Sequence, residues 1–510
     1  MLHYQLFWTL RCSLPSLKET PLHIVIATSE AVPFAKSGGL ADVCGALPRE
    51  LARLGHEVSL FVPAYRQVQH CGAQIEPLGV TVNVPVGTNM VTGQLARSCV
   101  PGGKVGVYLI RQDEYFDRNE LYGAGGEDYT DNCARFVFFS RAVMEAIRLL
   151  ELEVDVLHAN DWQTGLIPAY LKIQYRNLPR YQRIASLFTI HNIAFQGSFW
   201  HWDMPLTGLD WKYFNWEQME FHGRLNLLKT GIVFADSINT VSPRYAKEIQ
   251  TSAFGCGLES VLQHRRDVLY GVLNGIDETD WNPANDPHIA ARYGPETVWD
   301  GKPVCKAALQ KELGLPQAPQ VPLLAMIGRL TEQKGIDLIA DCIGDWARTN
   351  DMQWVILGTG DPKYHRLFET LAQHHPEKIA VRLMFSNPLA HRIEAGADMF
   401  LMPSRFEPCG LNQLYSLKYG TVPIVHETGG LADTVTGYGR PARGPQPANG
   451  FSFQEYSAAA LNETLQQAIG VYCEQPSSWR YLVDTGIRQD WSWANSAKEY
   501  ERLYKGLLGR

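Results

Sequence analysis

The chain has 510 residues, of which 45% are apolar, 19% charged and 11% aromatic. At about three times the length of an ordinary domain, it should form two or three domains with sizeable cores, and its composition excludes a disordered or collagen-like protein. The net charge is −7, from 46 basic and 53 acidic side chains, so no general cationic surface exists for nucleic acid or an anionic membrane.

Cysteine spacing and apolar run length indicate the compartment. The ten cysteines form no C-x-x-C pair, which favours reduced, buried thiols over a zinc site or a disulfide scaffold. No apolar run approaches the roughly 18 residues that a membrane span requires. Residues 1–21 lack the features of a secretion signal, so we expect a disordered extension and a cytoplasmic protein, with a plastid transit peptide as the minor alternative.

In the first half, short β-branched runs alternate with amphipathic stretches, which predicts buried parallel strands separated by helices. The predicted strands are 23–30, 57–65, 105–110, 154–161, 185–192 and 237–243. Residues 40–55 carry leucine and valine at helical spacing, and Gly55 predicts the end of that helix.

The second half repeats this alternation, which predicts a second domain of the same kind. Its predicted strands are 322–330, 353–360, 400–405 and 422–427, with a helix at 335–350, a surface loop at 439–450 and a terminal helix at 491–508. The string GGLAD occurs at both 38–42 and 429–433, which weakly supports two related halves. We therefore predict an α/β protein of two doubly wound parallel-sheet domains, with the ligand site in the cleft between them. The predicted division is 1–21 extension, 22–270 first domain, 271–488 second domain and 489–510 terminal helix.

The segment KSGGLADV follows the first predicted strand and precedes a helix. Gly38 and Gly39 let the backbone approach a bulky anion, the helix start offers free N–H groups, and Lys36 adds a positive charge. A plain tight turn with a solvated lysine is an equally good interpretation of this segment alone.

The segment IGRLTEQKG places Arg329 and Lys334 at the mouth of the second predicted sheet. Two cations there suit a diphosphate, with arginine as a planar fork and lysine as a point charge. Taken in isolation, these residues could equally be ordinary surface charges at the end of a strand.

In SRFEPCGLNQLYSLKYG a strand is predicted to end before Glu407, and Pro408-Cys409-Gly410 is predicted to open a helix. A carboxylate beside a helix start can contact a sugar or a developing cation, although a simple helix cap by Glu407 accounts for the same pattern.

Two further strands of the first half end in polar and aromatic residues. HANDWQTG and TIHNIAFQG supply His158, Asp161, Trp162, His191 and Asn192. Polar groups beside aromatic rings are typical of carbohydrate sites, whereas a single histidine in such a place is more often a hydrogen-bonded core residue.

Several familiar nucleotide and metal motifs are missing from the sequence. GTGDPK at 358–363 lacks the third glycine of a dinucleotide fingerprint, and no G-x-x-x-x-G-K-[ST] occurs, which disfavours dehydrogenases and P-loop enzymes. No Asp-x-Asp pair is present to hold a metal on a diphosphate. We therefore predict a metal-free site with no cofactor, in which lysine, arginine and helix N-termini supply the positive charge.

Taken in order from about residue 22 to the end, these strings resemble the bacterial glycogen synthase and plant starch synthase family. The strings are KSGGLADV, HANDWQTG, TIHNIAFQG, VLNGIDETDW, IGRLTEQKG, SRFEPCGLNQLYSLKYG and ETGGLADTV. The resemblance implies the GT-B fold and a retaining glucosyltransferase that transfers glucose from ADP-glucose to the non-reducing end of an α-1,4-glucan such as glycogen.

The resemblance also implies roles for individual residues. In the first domain, the nucleotide sugar would be contacted by Lys36, Gly38, Gly39 and Asp42. In the second domain, Arg329 and Lys334 would hold the diphosphate, Glu407 would lie at the donor sugar, and the hydroxyls and phosphate of that sugar would be contacted by Cys409, Gly410 and Leu411. The glucose and acceptor side would be lined by His191, Asp161 and Asn274. Among these, Glu407, Lys334, Arg329 and His191 are the implied catalytic residues. The last helix would cross back onto the first domain.

Two departures from related sequences bear on the branch of the family. Ser37 replaces the usual threonine and keeps the hydroxyl, and Tyr415 stands where other retaining transferases carry a second glutamate. The tyrosine favours the starch and glycogen synthase branch.

Three alternative activities stay open on the sequence. They are the use of UDP-glucose or another acceptor, a catalytically inactive glucan-binding protein, and a glucan phosphorylase, which would need pyridoxal phosphate. The sequence predicts neither the oligomeric state nor any nucleic-acid partner.

Overall fold

The chain folds around two large β-sheets, seen in a computed structural model that describes residues 21–100, 105–439 and 447–509. The strands are β1 His23–Ala27, β2 Glu57–Pro63, β3 Glu76–Val86, β4 Asn89–Cys99, β5 Gly106–Arg111, β6 Gly123–Ala124, β7 Glu127–Asp128, β8 Val156–Asn160, β9 Ala185–Ile190, β10 Ser198–Trp200, β11 Glu220–Phe221, β12 Arg224–Asn226, β13 Ser237–Thr240, β14 Leu269–Gly271, β15 Leu323–Ile327, β16 Gln353–Leu357, β17 Ile379–Arg382, β18 Met399–Met402, β19 Val422–His426 and β20 Phe451–Phe453.

The α-helices lie on both faces of these sheets. They are α1 Gly39–Arg53, α2 Asp113–Phe116, α3 Asn132–Leu149, α4 Leu166–Tyr170, α5 Leu227–Phe234, α6 Pro243–Glu248, α7 Glu259–His264, α8 Val298–Leu313, α9 Ile336–Thr349, α10 Pro362–His374, α11 Asn387–Gly396, α12 Asn412–Lys418, α13 Gly429–Thr434, α14 Ala458–Glu474, α15 Pro476–Arg488 and α16 Trp493–Leu507. We call the nine-stranded sheet with α1–α7 and α16 the first lobe, and the six-stranded sheet with α8–α15 the second lobe.

The first-lobe sheet has the order β14-β13-β9-β8-β1-β2-β5-β4-β3. The seven strands from β14 to β5 run parallel. Six of them were predicted from their two-sided apolar composition, whereas β14, a partly exposed strand of three residues, was not. The hairpin β3–β4 is antiparallel and was not predicted. Buried and more exposed residues alternate along β3, so this strand lacks the continuous apolar run by which strands buried on both faces are recognised.

The second-lobe sheet is wholly parallel, with the order β17-β16-β15-β18-β19-β20. Its four central strands were predicted, whereas β17 and β20, of four and three residues, are too short for a clear hydrophobic pattern. The predicted helix at 335–350 is confirmed as α9.

Each sheet contains one switch point, on either side of which the strands follow the chain order in opposite directions across the sheet. In the first lobe it lies between β1 and β8, and in the second between β15 and β18. Ligands of doubly wound sheets bind beyond the carboxyl ends of the strands at such points.

Two strands were predicted too long, at 23–30 and 322–330. In the structure β1 ends at Ala27 and β15 at Ile327, and the remaining residues form loops at the switch points.

The chain crosses between the lobes at two places that lie side by side. The Ile276 N–H donates to the Trp491 carbonyl at 2.8 Å, and Gly275 packs tightly against Trp493. Beyond this crossing α16 packs on α1, where Tyr500 and Tyr504 are fully buried in the first-lobe core.

Two predictions fall outside or partly outside the described chain. The extension predicted at 1–21 lies outside the described residues except for residue 21, and residues 440–446 of the loop predicted at 439–450 lie outside them too. Within the described residues, no helix is both long and apolar enough to span a bilayer.

Candidate active site

The loop after β1 is held by a buried carboxylate beneath it. Glu30 Oε2 accepts from the backbone N–H groups of Ser37 at 2.5 Å and Gly38 at 3.1 Å. Its Oε1 accepts from the hydroxyls of Ser37 and Tyr122, both at 2.6 Å. Glu30 was not predicted as a site residue because it was placed inside the first strand. The sequence does carry a signal for Glu30, because it is an acidic residue between the end of a strand and a pair of glycines.

Above this carboxylate, the loop leads directly into the N-terminus of α1. The N-cap residue Gly38 has no side chain to cap the helix, and among the described residues the N–H groups of Gly39 and Leu40 have no partner, so they are available to an anion. The exposed Lys36 donates from Nζ to Asp42 Oδ1 at 2.7 Å. Burial raises the pKa of the Asp42 carboxyl, and the Lys36 charge opposes that rise. The predicted Lys36, Gly38, Gly39 and Asp42 therefore lie together on one loop and helix start.

In the second lobe, the predicted Lys334 and Glu407 form an ion pair. Lys334 Nζ donates to Glu407 Oε2 at 2.6 Å, and Ser404 Oγ donates to the same oxygen at 3.0 Å. Glu407 is almost fully buried in the loop after β18, and Lys334 lies in the turn before α9. The exposed Arg329, on the same loop as Lys334, donates from Nη2 to Gln333 Oε1 at 2.8 Å.

The second GGLAD string, residues 429–433, packs against the backbone of the Glu407 loop. The Gly430 N–H donates to the Glu407 carbonyl at 3.1 Å. Gly429 has a φ of +45°, and a Cβ there would lie 1.9 Å from the same carbonyl oxygen. Only glycine fits such a close approach, so this glycine pair positions Glu407.

The loop 408–411 differs from the sequence prediction of a helix opening at Pro408. Gly410 adopts a φ of +74°, and α12 begins only at Asn412. The Gln413 side-chain amide donates to the carbonyls of Cys409 and Gly410, both at 3.1 Å, which fixes the loop in this non-helical form. The left-handed glycine interrupts the helix that the residue pattern indicated.

At the ends of β8 and β9 in the first lobe, Asp161 and His191 are in direct contact. Asp161 Oδ1 accepts from the His191 backbone N–H at 2.7 Å, and Asp161 adopts a φ of +57° that is strained for a non-glycine residue. Burial raises the pKa of the Asp161 carboxyl to about 7 and lowers the pKa of His191 to about 3. His191 Nε2 lies 2.9 Å from Asn160 Oδ1, and because an amide oxygen can only accept, the proton of the neutral ring is on Nε2 and Nδ1 is the acceptor.

His158, also singled out from the sequence, belongs to the core. Its ring nitrogens hydrogen-bond the hydroxyls of Tyr504 at 2.9 Å and Thr189 at 2.5 Å, away from the cleft. It ties β8 to α16.

The two lobes bring their predicted residues together across the cleft. A Cβ on Gly39 would lie 4.0 Å from a methyl carbon of Leu411. The Asn274 backbone N–H hydrogen-bonds the Cys409 sulfur, and Asn274 Oδ1 is buried without a partner among the described residues. An unsatisfied buried amide oxygen at a cleft is suited to a ligand hydroxyl.

The described residues contain no group of three or more His, Cys, Asp or Glu side chains arranged to hold a metal ion. Three cationic side chains, Lys36, Arg329 and Lys334, lie on the loops at the two switch points.

Two facing lobes, each built on a largely parallel sheet and with loops that converge between them, are typical of the GT-B fold of glycosyltransferases. The chain is similar in structure to the catalytic domain of starch synthase IV from Arabidopsis thaliana, which was solved bound to ADP and acarbose. The TM-score is 0.89 and the identity 32%, covering 96% of this chain and 100% of that one. Sucrose-phosphate synthase from Thermosynechococcus elongatus shares the fold at a TM-score of 0.57 and 17% identity, covering 96% and 99%.

Sequence comparison assigns the family. The starch synthase catalytic domain matches residues 23–264, and the glycosyl transferases group 1 domain matches 311–480. Glycogen synthase from Rhodopirellula baltica is 45% identical, covering 95% of this chain and 97% of the relative. Glycogen synthase from Pseudothermotoga lettingae is 43% identical, covering 96% and 99%. The chain belongs to the glycogen and starch synthase family, and the predictions of family, fold and glycosyltransferase activity are confirmed.

Proposed function

We propose that this glycosyltransferase transfers glucose from ADP-glucose to the non-reducing end of an α-1,4-glucan, with retention of configuration and without a metal ion or cofactor. The observation that carries the proposal is the Lys334–Glu407 pair, in the same cleft as the glycine loop that Leu411 contacts. The related starch synthase IV, whose structure was solved with ADP and acarbose, supports the choice of donor and acceptor class.

The donor diphosphate is bound by cations and free N–H groups. Arg329 and Lys334 approach it from the second lobe, while Lys36 and the uncapped start of α1 approach from the first. Together these charges stabilise the ADP that departs, so no divalent ion is required. Lobe closure excludes water, which favours transfer to a sugar over hydrolysis.

In the transfer step, the bond between the glucose C1 and the diphosphate oxygen breaks as the sugar gains positive charge. The acceptor hydroxyl forms the new C1–O bond on the same face, and its proton passes to the departing phosphate oxygen. Glu407 stabilises the sugar cation. His191 remains a neutral ring and contributes through its Nδ1 or its backbone carbonyl, because the low pKa excludes a charged imidazole at neutral pH.

The remaining predicted residues orient the two sugars. Asp161 fixes the His191 backbone, and the unpaired Asn274 oxygen accepts from a glucose hydroxyl. Cys409, Gly410 and Leu411 line the donor side. The domain boundaries 22–270, 271–488 and 489–510 and a cytoplasmic location are part of the same proposal.

The test is incorporation of radiolabelled glucose into glycogen, with ADP-glucose and UDP-glucose assayed in parallel and a metal chelator present in one arm. We expect incorporation from ADP-glucose that the chelator leaves unchanged, and release of the label as maltose by β-amylase. A preference for UDP-glucose contradicts the donor, loss of activity with chelator contradicts the metal-free site, and no incorporation from either donor contradicts transferase activity.

A further inference from the structure

The loop from Ser404 to Glu407, which follows β18, is held at both ends by the segment that follows β19. At one end the Gly430 N–H donates to the Glu407 carbonyl at 3.1 Å. At the other end lies His426, the last residue of β19, whose ring nitrogen Nδ1 is 2.7 Å from the Ser404 carbonyl oxygen. The position of this loop therefore depends on His426 as well as on the glycine pair.

The His426 side chain is almost fully buried, and both of its ring nitrogens face carbonyl oxygens. Nδ1 lies 2.7 Å from the Ser404 oxygen and Nε2 lies 3.2 Å from the Gln454 oxygen. A carbonyl oxygen only accepts, and an uncharged imidazole has a single N–H, so the shorter contact assigns that N–H to Nδ1. His426 therefore donates to Ser404.

Ser404 connects this histidine to the Glu407 carboxylate. Its Oγ donates to Glu407 Oε2 at 3.0 Å, and the same oxygen accepts from Lys334 Nζ at 2.6 Å. The hydrogen bond from His426 fixes the Ser404 peptide plane, and with it the direction in which the Ser404 side chain leaves the backbone. The carboxylate oxygen that meets Lys334 is thus held by a supporting hydrogen bond that is itself supported.

Two aromatic rings hold the imidazole in its orientation. The His426 ring centroid is 5.4 Å from that of Phe453 and 5.3 Å from that of Tyr456. The Tyr456 hydroxyl donates to Asp337 Oδ1 at 2.7 Å, at the start of α9 and directly after the turn that carries Lys334. The surroundings of His426 are therefore tied to the loops of both members of the ion pair.

We propose that His426 is a positioning residue for the transfer reaction: through Ser404 it holds Glu407 Oε2 in the place where it faces Lys334 and the donor sugar. The proposal rests on the roles of Glu407 and Lys334 in the proposed function. Because Glu407 stabilises charge that develops only in the transition state, loss of this support lowers kcat and leaves KM for the donor nearly unchanged.

The experiment compares His426→Asn with His426→Gln. The side-chain nitrogen of asparagine occupies the place of Nδ1 and still donates to Ser404, whereas that of glutamine reaches the place of Nε2 and does not. A role in packing alone predicts the opposite order, because asparagine is the smaller side chain and leaves the larger cavity. The two variants therefore separate positioning from packing.

We expect His426→Gln to lower kcat about tenfold or more and His426→Asn by less than about threefold, with KM for ADP-glucose within about twofold of the unmodified protein in both. The free energy of unfolding should be no lower in His426→Gln than in His426→Asn.

His23→Gln is the matched control. His23 is similarly buried, and its ring nitrogens lie 3.0 Å from the Glu153 carbonyl and 3.0 Å from the Ser59 hydroxyl. It begins β1, at the end of the first-lobe sheet opposite to the cleft. This variant should lose stability and keep its kcat, which shows that loss of a buried histidine does not by itself lower turnover.

Crystal structures of the two His426 variants give a second measurement that needs no turnover. We expect the 3.0 Å contact between Ser404 and Glu407 to persist in His426→Asn and to be lost in His426→Gln. Equal kcat in the two variants, a higher kcat in His426→Gln, or an intact Ser404–Glu407 contact in both structures would each overturn the proposal. If the unmodified protein transfers glucose from neither ADP-glucose nor UDP-glucose, the proposed function fails, whereas the two structures still decide whether His426 positions Glu407.

Discussion

Lys334 and Glu407 show how a cation and a carboxylate share one small space in this protein. Their 2.6 Å contact is made inside the cleft, where Glu407 is nearly buried and water screens the charges little. Each side chain holds the other in place. In the proposed mechanism Lys334 turns to the diphosphate when a donor binds, while the hydrogen bond from Ser404 still holds Glu407.

We predict that Lys334→Ala and Glu407→Ala each lower turnover about a hundredfold or more, because each removes roughly 3–4 kcal/mol of electrostatic stabilisation from the transition state. The measurement is kcat for glucosyl transfer, with thermal unfolding to verify that the fold is intact. Lys363→Ala is the control, since Lys363 forms an exposed ion pair with Glu332 on the same side of the second lobe. Near-normal turnover in either test variant contradicts its role.

His158 and His191 are buried, and burial lowers the pKa of each to about 3. In the unfolded chain these rings titrate at about 6.5. Between those values the unfolded state binds more protons than the folded state, so the free energy of unfolding falls as the pH falls from about 6.5 towards 3.

We predict that His158→Gln weakens this acid dependence: between pH 7 and pH 5 the variant should lose roughly 1–2 kcal/mol less free energy of unfolding than the unmodified protein. Urea unfolding at the two pH values measures the difference. The exposed His374→Gln serves as the control and should leave the dependence unchanged. A parallel fall in the unmodified protein and in His158→Gln would contradict the prediction.

At the scale of elements, α6 and α13 cap each other across the two lobes. Asp433 of α13 accepts from Ser242 Oγ at 2.7 Å and from the Arg244 N–H at 2.8 Å, at the start of α6. Glu248 of α6 accepts from the Gly429 N–H at 2.9 Å, at the start of α13. A carboxylate at each helix N-terminus is favoured by the exposed N–H groups and the helix dipole. This reciprocal contact sets the Glu407 loop relative to the first lobe.

We predict that Gly429→Ala lowers kcat at least tenfold, because the added methyl group must displace the Glu407 carbonyl from contact at 1.9 Å. Gly294→Ala is the matched control, since nothing lies within 4 Å of its Cβ position. Turnover and the free energy of unfolding are measured for both. Unchanged turnover in Gly429→Ala would show that the glycine pair does not position Glu407.

At the scale of the whole molecule, α16 links the end of the chain to the first lobe. Tyr500 OH accepts from the Asn239 side-chain amide at 3.1 Å, and Tyr504 bonds His158, so the helix is tied to β13 and β8 as well as to α1. The segment between α15 and α16 is therefore a second covalent connection between the lobes, and the Ile276–Trp491 hydrogen bond joins it to the first one.

We predict that Tyr500→Ala lowers the free energy of unfolding by about 3–5 kcal/mol, because it leaves a large cavity between α16 and the sheet. Urea unfolding measures this, and Arg502→Ala, on the exposed side of the same helix, should change it by less than about 0.5 kcal/mol. An equal, small effect of both would mean that α16 contributes little to the first-lobe core.

The sequence predicted the central strands well, because strands buried on both faces must be apolar throughout, and this is visible residue by residue. It predicted the site loops for a related reason: polar and glycine residues that directly follow such strands contribute little to the core, so they indicate loops at the edge where ligands bind. It missed Glu30, Glu248 and Asp433. Glu30 was placed inside the first predicted strand, and Glu248 and Asp433 look like ordinary surface residues until the fold brings backbone N–H groups from distant segments to them.

By itself, therefore, the sequence determined which residues lie at strand ends and that two parallel-sheet domains form, because local periodicity and turn residues encode both. Only the tertiary structure decided which of these residues contact one another. Lys334 meets Glu407 across 73 residues, and Gly39 faces Leu411, because the order of strands in each sheet brings the switch-point loops together. Strand order follows from long-range packing between helices and sheets, which no local pattern records.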